Sequence, residues 1–166
     1  MALTKTIQDA LNEQLKHEFY SAYLYLSMSA YCASVNLPGF AHWMRVQARE
    51  EAGHAMKLYQ YLEDRGGRVA LRAIEQPPVD FKSPLDVLEQ VRQHEQMVTG
   101  EINRLYALAV QETDYASQTF LQWFLTEQVE EEKMSGQLAE TLKMVGDNKS
   151  ALLILDKEMG ARAAGA

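Results

Sequence analysis

Glu51 and His54 stand three residues apart in the run Arg49-Glu50-Glu51-Ala52-Gly53-His54. On a helix that spacing puts both side chains on one face, one turn apart, where a carboxylate oxygen and an imidazole nitrogen can share a metal ion. Taken alone the pair is a weak signal, because Glu and His at this spacing usually lie on a solvated face. Its weight depends on whether Glu51 falls in an apolar seam, and on whether other ligand-type residues occur at matching spacing.

Both conditions are met. A helical period runs over about residues 4–34 through Leu11, Leu15, Ala22, Tyr25, Ser29 and Cys32, and Glu18 falls inside it. After a break at Val35-Asn36-Leu37-Pro38-Gly39, a second helix is predicted over 38–65, ended by Gly66-Gly67. Its apolar line of Phe40, Met44, Ala48, Ala55, Leu58 and Leu62 includes Glu51. The third, over 84–111 with Ser83 as cap and Pro84 in its first turn, carries Glu95 among Leu88, Val91, Val98, Ile102, Leu105 and Ala109. The fourth, over 115–146, places Gln128 and Glu131 in a seam with Leu121, Phe124, Ser135, Leu138, Leu142 and Val145. A short fifth helix is expected over 151–159, capped by Ser150, with the tail from Ala161 frayed.

Burying an unpaired carboxylate is costly, and no Lys or Arg occupies these seams. A bound multivalent cation is the economical partner. The polar pattern also repeats: an offset of 77 carries His17-Glu18 onto His94-Glu95, Glu50 onto Glu127, Glu51 onto Gln128 and His54 onto Glu131. One helical hairpin is used twice. Within each, the ligand pair is centred on the predicted turn and lies about 25 Å from it, near the middle of helices roughly 40 Å long. Residues 67–83 can extend roughly 55 Å, enough for a crossover that brings the hairpins together head to tail. The predicted fold is all-α: a four-helix bundle in one domain over 1–166, with a long crossover between helices two and three and a short fifth helix.

The 166 residues are 47% hydrophobic, enough for one core, and a net charge of −7 argues against nucleic acid and for cations as clients. Cys32 is the one cysteine, so no disulfide within the chain and no cysteine-built metal site is expected. No signal region and no membrane-length apolar run is visible, and a cytoplasmic setting is expected. Leu152, Leu153, Ile154 and Leu155 cannot all bury against one bundle from so short a helix, which predicts an oligomer. Tyr20, Tyr23 and Tyr31 read as packing or interface residues, and His17, His42 and His94 as surface or supporting hydrogen-bonders.

Taken together, Leu11-Asn12-Glu13-Gln14, Glu50-Glu51-x-x-His54, His94-Glu95-Gln96, Phe120-Leu121-Gln122-Trp123 and Glu127-Gln128-x-Glu130-Glu131-Glu132-Lys133 resemble the bacterial non-haem ferritins over nearly the whole chain. The resemblance implies a first iron site of Glu18, Glu51, His54 and, more distantly, Gln128. Glu51 would bridge to a second site with Glu95 and Glu131, and Glu50, Glu127 and Glu130 would form a third. It implies a redox-active Tyr25, with Trp123 as a second electron donor, two to three irons per subunit, Fe(II) and O₂ as substrates, and a 24-subunit cage storing Fe(III) mineral. Four carboxylates balance two Fe(II), and oxygen donors with one imidazole suit iron, although zinc or manganese would also bind. Ala52 stands where haem-binding bacterioferritins carry Met, so no haem is expected. The lack of CxxC pairs counts against rubrerythrin, and the fifth helix against the smaller DNA-protecting ferritins. The alternatives are a di-iron oxidase or oxygenase acting on an organic substrate, which needs an apolar pocket beside the metals, and a metal-free helical scaffold.

Overall fold

The apolar periods of the sequence become five helices in a computed structural model that describes residues 3–164. They are α1 (Lys5–Ser34), α2 (Pro38–Asp64), α3 (Pro84–Gln111), α4 (Tyr115–Val145) and α5 (Lys149–Gly160). Side chains of Thr4, Ser83 and Asp114 cap α1, α3 and α4 by accepting from the third following N–H, and Pro38 and Pro84 sit where no intrahelical N–H is lost. The cap of α5 is Asn148, whose side chain accepts from Ala151 N at 3.0 Å. Ser150, expected to be that cap, lies inside the helix, because Asn148 two positions earlier offers the same acceptor with two more residues in the helix. Gly146 ends α4 at φ 53° and ψ −132°, a conformation that a side chain would oppose.

The first four helices form a bundle. Ser29 on Ala41 joins α1 to α2 near their turn, Tyr25 on Glu95 joins α1 to α3, and Gln47 on Glu131 joins α2 to α4. Residues 67–83 carry no regular secondary structure and run as a strap along α1. Its contacts move from Gln8 and Asn12, which hold Arg68 and Ala70, through Lys16 on Glu75, to Tyr31 against Phe81. From Gln8 to Tyr31 is about 34 Å of helix, so the strap covers most of the bundle's length, as a crossover must.

Two apolar clusters fill the bundle. One surrounds Tyr25, Phe40 and Met44 towards the α1–α2 turn and takes in Leu155 and Met159 of α5. The other surrounds Leu11, Leu58 and Ile102 towards the opposite end. The expected seams are buried, with one shift: Leu138 and Val145 are half-buried, and Ala139 fills the core position beside Ser135. That drift follows from a 3.6-residue helix against a strict 3-4 alternation. Of the tail expected to fray, Arg162 instead makes hydrogen bonds to α2, and residues 165–166 lie outside the described residues. No helix among the described residues is long and apolar enough to cross a membrane.

Candidate metal centre

Where the two apolar clusters meet, each bundle helix turns a polar residue inward. Glu18 comes from α1, Glu51 and His54 from α2, Glu95 from α3, and Gln128 and Glu131 from α4. The carboxylates of Glu18, Glu51, Glu95 and Glu131 are 1%, 2%, 2% and 3% exposed. Water does not solvate them, so their charge must be met from within.

The donor atoms gather into three overlapping groups, in each of which they lie within 4.8 Å of one another: Glu18, Glu51 and His54; Glu51, Glu95 and Glu131; His54, Glu127 and Glu131. Glu51 belongs to the first two and is placed to bridge them. His54 faces two ways. Its Nδ1 lies 3.3 Å from Glu51 and 3.8 Å from Glu18, and its Nε2 lies 3.9 Å from Glu127.

Of the three residues expected to form a third site, the structure brings Glu127 to His54, but Glu50 is held at 2.6 Å by Arg162, and Glu130 is exposed and outside all three groups. Gln128, expected beside Glu18, Glu51 and His54, instead donates its amide to Glu95 Oε2 at 3.2 Å and to the Glu95 carbonyl at 3.3 Å. Tyr25 donates its hydroxyl to Glu95, and burial with the nearby Glu95 and Glu51 charges holds its pKa well above the usual phenol range. Trp123 stacks edge-on against His54 at 5.2 Å, with the Lys57 ammonium over its ring.

Two supporting residues escaped the sequence reading. Gln14 donates to Glu18 at 2.8 Å, and Gln47 donates to both Glu51 and Glu131 at 2.9 Å. Each is a glutamine four residues before an inward carboxylate, which stacks it one turn below on the same face. That recurrence at Gln14/Glu18 and Gln47/Glu51 was the available signal. His94 was expected at the surface or in a supporting role; it is buried, 2.7 Å from Ser21 Oγ, and burial pushes its pKa down to about 4. The Ser21 hydroxyl also lies 3.0 Å from the His17 carbonyl, which ties His94 to the α1 backbone.

Electrostatically, the centre free of metal holds protons. Burial, followed by repulsion among the carboxylates, pushes Glu95 up to about 8 and Glu51 and Glu131 to about 7, against partial relief from His54, Tyr25 and the glutamines. Burial disfavours a charged His54, but contact with Glu18 and Glu51 outweighs it and lifts the ring to about 11. A cation entering must expel these protons, and in return its charge meets what the protein leaves unmet. Beside the groups opens a cleft of about 600 Å³ lined in part by Arg49, Glu50, His54, Lys57, Trp123 and Glu127.

A family model described as a ferritin-like domain matches residues 8–145. Bacterial non-heme ferritin of Staphylococcus aureus strain USA300 is 42% identical over 160 residues, covering 96% of each chain. The protein of the same name from Staphylococcus saprophyticus is also 42% identical, with the same coverage. Among solved structures, an open pore ferritin from the hyperthermophilic archaeon Archaeoglobus fulgidus superposes with a TM-score of 0.97 at 48% identity, covering 98% of this chain and 100% of that one. An engineered closed form of that ferritin gives 0.98 at 47% identity, covering 99% and 100%.

Proposed function

The chain belongs to the ferritin family of iron-storage proteins, and from that premise we propose that each subunit oxidises Fe(II) with O₂ at the buried carboxylate layer and passes Fe(III) to a mineral inside a 24-subunit shell. The observation that carries this reading is the overlap of the Glu18–Glu51–His54 and Glu51–Glu95–Glu131 groups at Glu51. Two ions held by a shared carboxylate sit close enough to act on one O₂.

In this reading Glu18, Glu51 and His54 hold the first iron, and Glu51, Glu95 and Glu131 the second. Gln128 supports the second through Glu95. Each Fe(II) gives up one electron, so the pair reduces O₂ by two electrons, and two protons complete hydrogen peroxide. In this reading Tyr25, hydrogen-bonded to Glu95, gives a third electron and Trp123, beside His54, a fourth, and with two further protons these carry the peroxide on to two waters.

The shell is supported by apolar surface left uncovered on one chain. Leu153 and Ile154 of α5 are 63% and 62% exposed, although Leu155 and Met159 on the same helix are buried against the bundle. A second exposed patch joins Tyr23 and Leu26 of α1 to Ile74 and Val79 of the strap. Both need partners, and further copies of the chain are the partners proposed.

The test is anaerobic loading of the metal-free protein with Fe(II), followed by O₂ in a stopped flow. A fast phase saturating near two irons per subunit, with later additions building a soluble mineral core, is expected. Oxidation no faster than in buffer would reduce the reading to family membership without ferroxidase activity.

A further inference from the structure

The chain just past the end of α5 delivers a cation, Arg162, to the edge of the carboxylate layer. α5 docks on the start of α2 by backbone approach: Asp156 Oδ1 accepts from Phe40 N at 2.9 Å, and a Cβ on Gly39 would lie 1.6 Å from the Asp156 carbonyl oxygen. So close a fit fixes the register of α5. Beyond it, the Arg162 carbonyl accepts from His42 Nε2 at 2.8 Å, and the guanidinium lies over the Trp43 ring at 4.5 Å. Its two terminal nitrogens then part. One donates to Glu50 Oε2 at 2.6 Å, the other to Gln47 Oε1 at 2.9 Å.

Both contacts matter to the centre. A guanidinium has no acceptor, so Gln47 must turn its oxygen to Arg162, which aims its amide hydrogens at Glu51 and Glu131. Glu50, meanwhile, already has a full positive charge on it. Of the groups near the third position, His54 and Glu131 are shared with the first two sites. With Glu50 taken, Glu127 is the one ligand there that no other site uses. A single unshared carboxylate makes a weak site for an iron.

We propose that Arg162 is a positioning residue that fills the cation position at Glu50 and so limits each subunit to two bound irons rather than three. The inference rests on the ferroxidase reading for the first two sites but is read without O₂. The experiment counts Fe(II) bound per assembled subunit under anaerobic conditions by titration calorimetry. The chains compared are the full-length protein, Arg162→Met, Arg162→Lys, and Arg162→Met combined with Glu50→Gln, each checked for assembly by size-exclusion chromatography.

Two irons are expected for the parent and for Arg162→Lys, which keeps a charge on Glu50. Three are expected for Arg162→Met, and two again for the double variant, because the gained iron needs the Glu50 carboxylate. A count of two in Arg162→Met, even with a lowered melting temperature, would reduce Arg162 to a docking residue and overturn the proposal. A count of three in the parent would overturn it as well. Failure of the ferroxidase reading shows separately, as slow oxidation on admitting O₂ with these anaerobic counts intact.

Discussion

The two helical hairpins, α1–α2 and α3–α4, carry the same polar pattern 77 residues apart, yet they build unlike halves of the centre. In the first, glutamines stand one turn below the inward carboxylates: Gln14 under Glu18 and Gln47 under Glu51. The equivalent positions in the second are Val91 and Phe124, both buried and apolar. The first hairpin offers Glu51, shared by two ligand groups, where the second offers neutral Gln128, a donor to Glu95. Even the paired histidines differ, since His17 meets Glu101 at 2.9 Å near the surface whereas His94 is buried and neutral. A repeated scaffold fixes where ligands stand; the residues one turn away decide what each can do. Burial raises the proton affinity of carboxylates in both hairpins, but the first supports its own from glutamines on the same helix, whereas Glu95 and Glu131 draw donors from other helices, Tyr25 and Gln128 for one and Gln47 for the other.

The sharpest way to break that contrast is to remove equivalent residues. Glu51→Ala takes out the shared ligand, and the fast oxidation phase should fall to the rate of Fe(II) in buffer. Gln128→Ala, its counterpart, loses one neutral donor to Glu95 and should slow the phase only about 10-fold. Stopped-flow absorbance at equal iron loading measures both. Equal losses would mean that the two hairpins contribute alike.

The next largest effect concerns the support one turn below. Gln47→Leu leaves Glu51 and Glu131 without their common donor, and iron affinity should drop by about 10–100-fold, the usual cost of losing a ligand's hydrogen-bond partner. Phe124→Leu alters the matching position of the second hairpin and should appear in the melting temperature instead. If calorimetric titration showed affinity unchanged in Gln47→Leu, the amide would be mere packing.

Tyr25 extends the comparison, because its counterpart 77 residues on is Ile102. Its hydroxyl donates to Glu95 across the hairpins. Tyr25→Phe removes that charge-assisted bond and a source of electrons while keeping the ring, and should slow oxidation about 10-fold. A freeze-quenched tyrosyl radical signal is expected in the parent and absent in the variant. An unaltered rate and no radical in either protein would leave Tyr25 as core.

Much of this was legible in the sequence for a physical reason. A carboxylate in an apolar seam violates the binary pattern, and Glu18, Glu51, Glu95 and Glu131 did so on four helices at one level. The crossover followed from the reach of residues 67–83 and the need to bury both hairpins. What could not be read was any contact between residues remote in the chain. Arg162 meets Glu50 only because Gly39 lets α5 approach the backbone of α2, and nothing in the tail's composition distinguishes that arginine from a solvated one. The family resemblance implies a distant place for Gln128 at the first site, and its amide turns to Glu95, a contact that position along a helix does not reveal.

The smallest effect is a slope of stability with pH in the metal-free protein. Glu51, Glu95 and Glu131 bind protons more tightly folded than unfolded, at about 7, 8 and 7. Their protonation therefore stabilises the fold fully below the unfolded carboxylate range near 4.5, and that contribution is lost as pH climbs through 7 and 8. His54, raised to about 11, acts in the same sense: its contribution is complete below 6.5 and declines up to about 11. The melting temperature should thus fall from pH 6 to pH 8, each kilocalorie lost moving it by roughly 2–4 °C. Glu95→Gln, which removes the carboxylate shifted furthest, should flatten the slope, and saturating Zn(II) should shrink it, since metal affinity grows as these protons leave. A metal-free protein whose melting temperature held level or rose over that range would mean that Glu51, Glu95 and Glu131 are charged without a cation. The second hairpin would then need no metal to satisfy it, and its difference from the first would be one of packing alone.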